Sequence, residues 1–337
     1  MPSGKLRFIK QNMLKKAIPI LLMVSLLSGC TGGFSQQLRG NVSSLSNPDT
    51  MLFNAASGQV ATKDTAILYF RYLDTNMLVS ETRSVDVAVD ASVEEMALTE
   101  LVNGPSSEKL DLRPVFGTNI KLLDASPSQG NEYLFITLSK EFLDVPADYP
   151  ADWERDAQLY QTVMQTRRLA LYAIANTVTE IGNYSKIQLF VATTENNVGV
   201  RIKRSDVGFT GEGADQPLGL IGREYSVLLT PKNACNLALQ AIANSNWKTM
   251  YLYITDAAAL KYDTIVETMD GMQIALESYS LNYESVTLDG KTAIVGINIK
   301  MKIGEKSIVK EDLPIKLQRE NGVWKVKYQQ MMNLLSK

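Results

Sequence analysis

The stretch SVEEMALTELVNGP, residues 92–105, carries the signals of a complete helix at both of its ends. Ser92 is followed three residues later by Glu95, which is the pattern of a capping box, and apolar residues then recur at helical spacing. The sequence Asn103-Gly104-Pro105 ends the helix, because glycine permits a left-handed turn and proline cannot continue the helix. These residues predict a helix over residues 92–102 with one buried face.

Extended segments lie on both sides of this helix, and a second helix follows them. The second helix has apolar residues at helical spacing, Asp152 as its predicted N-cap and Gly182 just after its end. The predicted strands are residues 65–72, 77–89, 119–125, 132–138 and 186–191, and the predicted helices are residues 92–102 and 152–181. This order predicts an α+β sandwich with its helices on one face of a mostly antiparallel sheet.

Four short motifs occur in this region: Leu68-Tyr69-Phe70, Leu78-Val79-Ser80-Glu81-Thr82-Arg83, Leu101-Val102-Asn103-Gly104-Pro105 and Ile174-Ala175-Asn176-Thr177-Val178-Thr179-Glu180. They resemble the landmarks of the GerM domain, which is named for a sporulation and spore-germination lipoprotein. The chain departs from the family at Ala192-Thr193, where members often carry Asp-Gly. The resemblance implies a GerM-like domain over residues 64–197, with a ring-building-type βαββα fold that packs side by side into envelope rings in sporulation proteins. It implies no catalysis.

The remainder of the chain has a different pattern. Residues 198–224 are rich in glycine and mixed in charge, which predicts a connector between two separately folding domains. Thr230-Pro231 predicts a helix start, and residues from Ile274 onward predict four strands. Tight turns are predicted at Asp289-Gly290, Gly304-Glu305 and Asn321-Gly322. A leading helix on a curved meander over residues 225–337 resembles the cone-shaped nuclear transport factor-like superfamily, which implies an architecture and no function.

The N-terminal residues have the pattern of an export signal. Five lysines and arginines and no acids precede an apolar run at residues 17–27, which predicts a signal peptide over residues 1–29. The apolar run is shorter than the roughly 20 residues that cross a bilayer. Leu27-Ser28-Gly29-Cys30 resembles the bacterial lipobox, which implies cleavage between Gly29 and Cys30 and lipidation of the Cys30 sulfur. Polar residues 30–63 then predict a flexible tether.

These features predict a lipid-anchored protein, with fatty acyl chains such as palmitate, on the extracytoplasmic face of the cell membrane. Loss of the five positive charges with the signal peptide takes the net charge from −2 to −7. An acidic chain is not attracted to nucleic acid, so none is expected as a partner. The expected partners are the bilayer, through acylated Cys30, and an envelope or sporulation protein or a second copy of the chain.

The sequence contains no histidine, which removes Ser-His-Asp and Cys-His nucleophiles and histidine-dependent metal sites. No catalytic, cofactor-binding or metal-ligating residue is predicted. The acidic pairs suit helix first turns better than a paired acid and base. These pairs are Glu94-Glu95, Asp152 with Glu154 and Asp156, and Glu311-Asp312. Cys235, with no partner once Cys30 is acylated, is expected to pack in a helix.

The basic pairs and a group of aromatic residues leave alternatives open, whereas a glycine-rich segment lacks the pattern of a binding loop. The basic pairs Arg167-Arg168 and Lys203-Arg204 fit either anion binding or, more commonly, solvated surface. The glycine-rich residues 208–213 lack the spacing of a phosphate-binding loop. The aromatic residues are expected either in the core or at the mouth of a cone-shaped cavity. They are Trp247, Tyr251, Tyr253 and Tyr262.

Three classes of function compete. The favoured one is a structural or protein-interaction lipoprotein of the envelope, acting in sporulation or germination, which associates through the long helix or a sheet edge. The second is a hydrolase or other enzyme that acts on wall material through carboxylates, which needs two acids about 5–10 Å apart in a cleft. The third is an extracytoplasmic small-ligand-binding lipoprotein that uses the C-terminal cone-shaped domain, which needs an apolar cavity with a few convergent polar groups.

Overall fold

The computed structural model describes residues 62–192, 198–255, 261–272 and 274–335. These residues fall within one compact unit, Gln59–Lys337. The predicted signal peptide (1–29), with the cleavage and lipidation site at Gly29 and Cys30, lies outside the described residues. The predicted tether (30–63) also lies outside them, except for its last two residues, which begin the first strand.

The first sheet has three strands, and the first two, which match predicted strands, form an antiparallel hairpin. Its strands and the helix between them are β1 Thr62–Tyr72, β2 Leu78–Val87, α1 Val93–Asn103 and β3 Leu112–Arg113, with β1 in the centre of the sheet. The hairpin turn is closed by a bond of 2.9 Å from the Tyr72 amide to the Met77 carbonyl. The Thr75 hydroxyl also donates to the Tyr72 carbonyl at 2.6 Å.

Both ends of α1 match the prediction. The Ser92 hydroxyl accepts the Glu95 amide at 3.1 Å, and Gly104 follows the helix with a φ of +95°. The Gly104 amide donates to the Leu101 carbonyl at 3.3 Å. Local sequence signals therefore define this helix at both ends.

A second sheet follows, whereas the sequence predicted one mostly antiparallel sheet. Its elements are β4 Leu122–Pro127, β5 Tyr133–Leu138, α2 Ala157–Ile181, β6 Lys186–Ala192, β7 Gly199–Arg201 and β8 Ile221–Gly222. The strand order is β4-β5-β6-β7, β8 also pairs with β6, and β5 and β6 are parallel. Helix α2 crosses between these two strands, which is the connection that a parallel pair requires.

Helix α2 contacts both sheets. It packs against β1 of the first sheet and against β6 and β8 of the second, so that nearly every side chain of residues 169–178 is buried. The predicted arrangement, with helices on one face of one sheet, is therefore replaced by two sheets with a helix enclosed between them. The α+β class itself is confirmed.

The N-terminus of α2 is four residues later than predicted. Residues Trp153–Arg155 form a short 3₁₀ turn, and Asp152 makes no capping bond. Asp156 is the N-cap, and one of its carboxylate oxygens accepts the amides of Gln158 and Leu159 at 2.8 and 3.0 Å. Gly182 ends the helix in the left-handed conformation, as predicted.

The predicted connector at residues 198–224 differs most from the structure. Strands β7 and β8 lie in this segment and both pair with β6. The Leu218 amide donates to the Ile202 carbonyl at 2.7 Å, and the side chain of Gln188 donates to the Leu218 carbonyl at 2.8 Å. Ile202, Val207 and Leu218 are buried. These three apolar residues, spread among glycines, attach the segment to the second sheet.

The C-terminal part consists of helices followed by the predicted meander. Its elements are α3 Pro231–Ala243, α4 Trp247–Leu252, β9 Ile254–Thr255, α5 Tyr262–Gly271, β10 Ile274–Val286, β11 Thr292–Ile303, β12 Lys306–Glu320, β13 Val323–Lys327 and α6 Tyr328–Leu335. Thr230 caps α3 as predicted. The order is β10-β11-β12-β13-β9, and the parallel pairing of β9 with β13 is an addition to the predicted four strands.

The C-terminal part also contacts the first sheet directly. The Leu78 amide donates to the Val227 carbonyl at 2.7 Å, and the Leu229 amide donates to the Leu78 carbonyl at 2.9 Å. The Tyr72 hydroxyl donates to the Leu252 carbonyl at 2.8 Å. The two predicted domains can therefore fold separately only if each is stable without these contacts.

Candidate functional site

Two of the four sequence motifs meet around Arg83. Its guanidinium donates to the carboxylates of Glu81 and Glu100, both at 2.7 Å, and to the Gly104 carbonyl at 3.1 Å. The other oxygen of Glu81 accepts the Ser106 amide at 3.2 Å. Burial opposes the charged guanidinium, but the bonds to Glu81 and Glu100 outweigh it and raise the pKa of Arg83. The hydrogen bonds of this cluster, Glu81–Arg83–Glu100, attach the turn that follows α1 to strand β2.

The other two motifs meet around Tyr69. The Tyr69 hydroxyl donates to the Glu180 carboxylate at 2.7 Å, and the Tyr69 amide donates to the Thr177 hydroxyl at 3.3 Å. Arg223 forms an ion pair with Glu180 and donates to the Tyr69 hydroxyl at 2.8 Å. Burial and the bond to Glu180 raise the pKa of Tyr69. The four motifs thus supply the polar contacts that join β1, β2, α1 and α2.

The predicted acidic pairs have structural partners of their own. Glu94 is buried and accepts a hydrogen bond of 2.6 Å from the side-chain amide of Asn183, whereas Asp156 caps α2. Asp312 accepts a hydrogen bond of 2.9 Å from the side-chain amide of Asn282 on the C-terminal sheet. Within the described ranges, no group of three or more acidic or cysteine side chains is arranged to hold a metal ion.

The basic pair Arg167-Arg168 is not the solvated surface that charge pairs commonly form. Arg167 donates to the carbonyls of Leu143 and Asp206, and Arg168 donates to the Gly208 carbonyl at 3.0 Å. The pair Lys203-Arg204 is more mixed: Lys203 forms an exposed ion pair of 3.6 Å with Asp215, whereas Arg204 lies over the Phe209 ring. The Phe209 ring, in the loop at residues 208–213, thus lies against the Arg168 guanidinium of α2.

A cleft of about 480 Å³ lies beside the N-terminal half of α2. We call it the α2 cleft; residues 115–120, parts of residues 141–149 and one face of α2 line it. Its apolar side chains include Phe116 and Phe142, whose ring centroids are 6.5 Å apart. Tyr149, Thr162 and Thr166 add hydroxyl groups. The sequence analysis did not identify this cleft, because its lining comes from three separate segments.

Arg167 lines the α2 cleft and also a second, more polar cleft of about 450 Å³ that contains Trp153. Its Nε is buried and has no hydrogen-bond partner among the described residues. Burial lowers the pKa of the guanidinium, although the charges of Asp206, Asp144 and Glu154 partly oppose this effect. In the described part of the chain, no carboxylate oxygen lies within 4 Å of the Arg167 guanidinium.

The aromatic residues of the C-terminal part are mostly structural. Tyr253 is buried, its ring lies 6.0 Å from that of Tyr72, and burial raises its pKa to about 12. Trp247 is also buried and donates to the Asp270 carboxylate at 2.7 Å. Tyr251 and Tyr262 meet edge to face at 5.6 Å, and Tyr262 is partly exposed. The first of the two expectations for these residues, a place in the core, therefore holds for Trp247 and Tyr253.

Cys235 is buried in α3 as predicted, and burial raises the pKa of its thiol to about 12. None of the helices in the described ranges has the length and apolar character needed to cross a bilayer.

Comparison with known proteins agrees with the motif analysis. Residues 67–195 match the model of a family described as Germane: Sporulation and spore germination. This part of the chain is therefore a GerM-like domain. No curated protein matches the chain.

Several solved structures are similar to parts of the chain at low identity. The tandem GerMN domains of the sporulation protein GerM from Bacillus subtilis are 20% identical, with a TM-score of 0.29, over 46% of this chain and 46% of that chain. The first GerMN domain alone is 17% identical, with a TM-score of 0.24, over 38% of this chain and 84% of that chain. An M. tuberculosis LEH-like epoxide hydrolase is 12% identical, with a TM-score of 0.23, over 31% of this chain and 84% of that chain. The family match at residues 67–195 carries the assignment.

Proposed function

We propose that this protein is a lipid-anchored envelope protein that acts in sporulation or spore germination by binding a partner protein or further copies of itself. The observation that carries the proposal is the Germane family match over residues 67–195. The lipobox-like sequence that ends at Cys30 supports the anchor. A tethered chain has a high local concentration, so contacts too weak to survive dilution can still function.

The roles of the motif residues are consistent with a scaffold. The polar side chains that the family resemblance singles out bind one another, as in the Glu81–Arg83–Glu100 cluster and the contacts of Tyr69 with Glu180. Three of the acids considered for catalysis have structural roles: Asp156 caps α2, and Glu94 and Asp312 accept bonds from side-chain amides. The surface is therefore the part of this domain that we expect to act.

The burial of α2 limits which part of this helix a partner can contact. Residues 169–178 are enclosed, so only the N-terminal half of α2, with exposed Gln158, Gln161 and Gln165, is accessible to a partner. Strand β2 is an edge of the first sheet, and its first residue, Leu78, already pairs with residues 227–229. The exposed part of the strand around Ser84 is where a neighbour can reach the backbone groups of an edge strand. We propose these two surfaces as the contact sites.

Site-specific cross-linking tests this proposal. Single cysteines at Gln161 on α2 and at Ser84 on β2 are compared with one at exposed Glu305, in the turn between β11 and β12. Buried Cys235 does not compete for the reagent. In membranes of the native host, we expect the first two positions to capture a second copy or an identified envelope protein, and Glu305 to capture neither. Absence of a specific adduct at both Gln161 and Ser84 would remove the association proposal.

A separate experiment tests the anchor. Cys30→Ser is expected to abolish metabolic labelling with a fatty acid and to leave the precursor uncleaved or the protein released from membranes. Cys235→Ser is the matched control, since the other cysteine of the chain lies buried in α3 and should not affect labelling. Labelling that persists in the Cys30→Ser variant contradicts the anchor.

A further inference from the structure

We propose that the α2 cleft binds a small molecule with an apolar body and one carboxylate, and that Arg167 recognises the carboxylate. This proposal goes beyond association, which needs no ligand. The cleft lies in the Germane domain and not in the C-terminal part, where the sequence analysis considered a ligand cavity.

The size and lining of the cleft define the body of the ligand. Its volume of about 480 Å³ lies within the range of roughly 300–1,000 Å³ that is typical of small-molecule sites. Phe116, Phe142 and Val163 line it and are themselves buried, so this apolar surface is supported by the core. A short acyl chain or an aromatic ring matches such a lining, because burying apolar surface is the main favourable term in binding it.

Arg167 determines the charge of the ligand. The guanidinium lies over the Trp153 ring, 6.0 Å from its centroid, and each terminal nitrogen donates one bond to a neutral carbonyl, of Leu143 or Asp206. These contacts carry no negative charge, and a ligand carboxylate would accept a charge-assisted hydrogen bond from a second N–H of a terminal nitrogen. The half-buried guanidinium therefore favours an anion over a neutral ligand.

The nearby acids do not take this role. Two acids line the cleft, but Asp144 is exposed to solvent and Glu141 lies near the surface, where it bonds to Ser139. One oxygen of Asp206 accepts the Lys203 amide at 2.7 Å. In the described structure none of these three acids lies within 4 Å of the Arg167 guanidinium, whereas the chain forms close ion pairs at Arg83 and Arg223. The absence of a close carboxylate distinguishes Arg167 from these two other half-buried arginines.

Arg168 provides a matched control in the adjacent position. It also donates to a backbone carbonyl, of Gly208, and lies 5.9 Å from the Phe209 ring centroid. It does not line the α2 cleft. Replacing Arg168 removes one positive charge from the same helix without changing the proposed site.

The experiment measures binding of octanoate and 1-octanol by calorimetry, with acetate as the probe that lacks an apolar body. All variants are made in the full-length chain with Cys30→Ser, so that acyl chains do not interfere. We expect octanoate to bind and both other probes to bind at least about tenfold more weakly. Octanol lacks the charge-assisted bond to Arg167, and acetate lacks the apolar contacts. Arg167→Met should lower octanoate affinity about tenfold or more, and Arg168→Met should leave it unchanged.

A second variant covers the possibility that Arg167→Met unfolds the loops that it contacts. Ala147 lines the cleft but is exposed, so we expect Ala147→Trp to fill part of the cleft without disturbing the core. It should abolish octanoate binding while the melting temperature stays unchanged. Failure of octanoate to bind at millimolar concentration, equal affinity for octanol, or binding that survives Ala147→Trp would each overturn the proposal.

Discussion

The Glu81–Arg83–Glu100 cluster makes a quantitative prediction about stability. The side chain of Glu81 is 4% exposed and that of Arg83 17% exposed, so the pair is largely removed from water. Arg83→Met keeps an apolar stem against Phe70 but removes the bonds to Glu81, Glu100 and Gly104. The Glu81 carboxylate then remains buried with the Ser106 amide as its partner.

Removing one member of a buried ion pair costs about 3–5 kcal/mol, and the partial exposure of Arg83 places the expected value at the lower end. We therefore expect Arg83→Met to lower the free energy of unfolding by about 3 kcal/mol, measured by urea denaturation of the full chain. This is a large part of the usual 5–15 kcal/mol.

Two control variants separate this effect from a general loss of charge. Lys203→Met breaks an ion pair whose members are 59% and 89% exposed, so it should change stability by less than about 1 kcal/mol. The double variant Glu81→Gln/Arg83→Met removes both charges and should recover part of the loss, because no buried carboxylate remains. If Arg83→Met costs no more than Lys203→Met, the reasoning about this cluster is wrong.

Three further predictions concern other parts of the fold. Native Cys235 should not react with iodoacetamide at pH 8, because burial raises the pKa of its thiol to about 12, and it should react once urea unfolds the chain; modification of the native protein would contradict its burial. Gly208→Ala should destabilise the chain by about 2 kcal/mol or more, because φ is +78° and the new Cβ would lie 2.7 Å from the Met164 Cβ. Gly211 has a φ of +87° but open space around it, so Gly211→Ala should lower the free energy of unfolding by only about 1 kcal/mol. Equal losses for the two variants would show that the contact with Met164 is unimportant. Limited proteolysis should spare residues 199–222, because β7 and β8 pair with β6, and a dominant cut there would restore the connector that the sequence predicted.

Local signals in the sequence were reliable guides to individual elements. The caps of α1 at Ser92 and Gly104, the cap of α3 at Thr230 and the turn at Asn321-Gly322 all depend on residues within a few positions of one another. Asp152 was misassigned because Asp156, in the same acidic segment, is the residue whose carboxylate reaches the free amides of α2. Acidic residues four positions apart give the same local signal.

Features that depend on distant residues were not predictable in this way. The pairing of β5 with β6 joins strands on either side of α2, and the burial of both faces of α2 depends on two sheets. The α2 cleft likewise takes its lining from three segments, and Arg167 differs from Arg168 only in what surrounds it. The motif residues were found, but their mutual contacts became visible only when β1 and β2 were placed beside α1 and α2.

The central position of β1 determines how the fold would respond to mechanical force. If Cys30 is anchored as we propose, a pull away from the membrane enters the described fold at Thr62, the first residue of β1. That strand has ten register pairs with β2 and also pairs with β3. A force along β1 shears these pairs together rather than opening them one after another. An anchored domain loaded in this direction would resist extension far better than one held at the end of an edge strand.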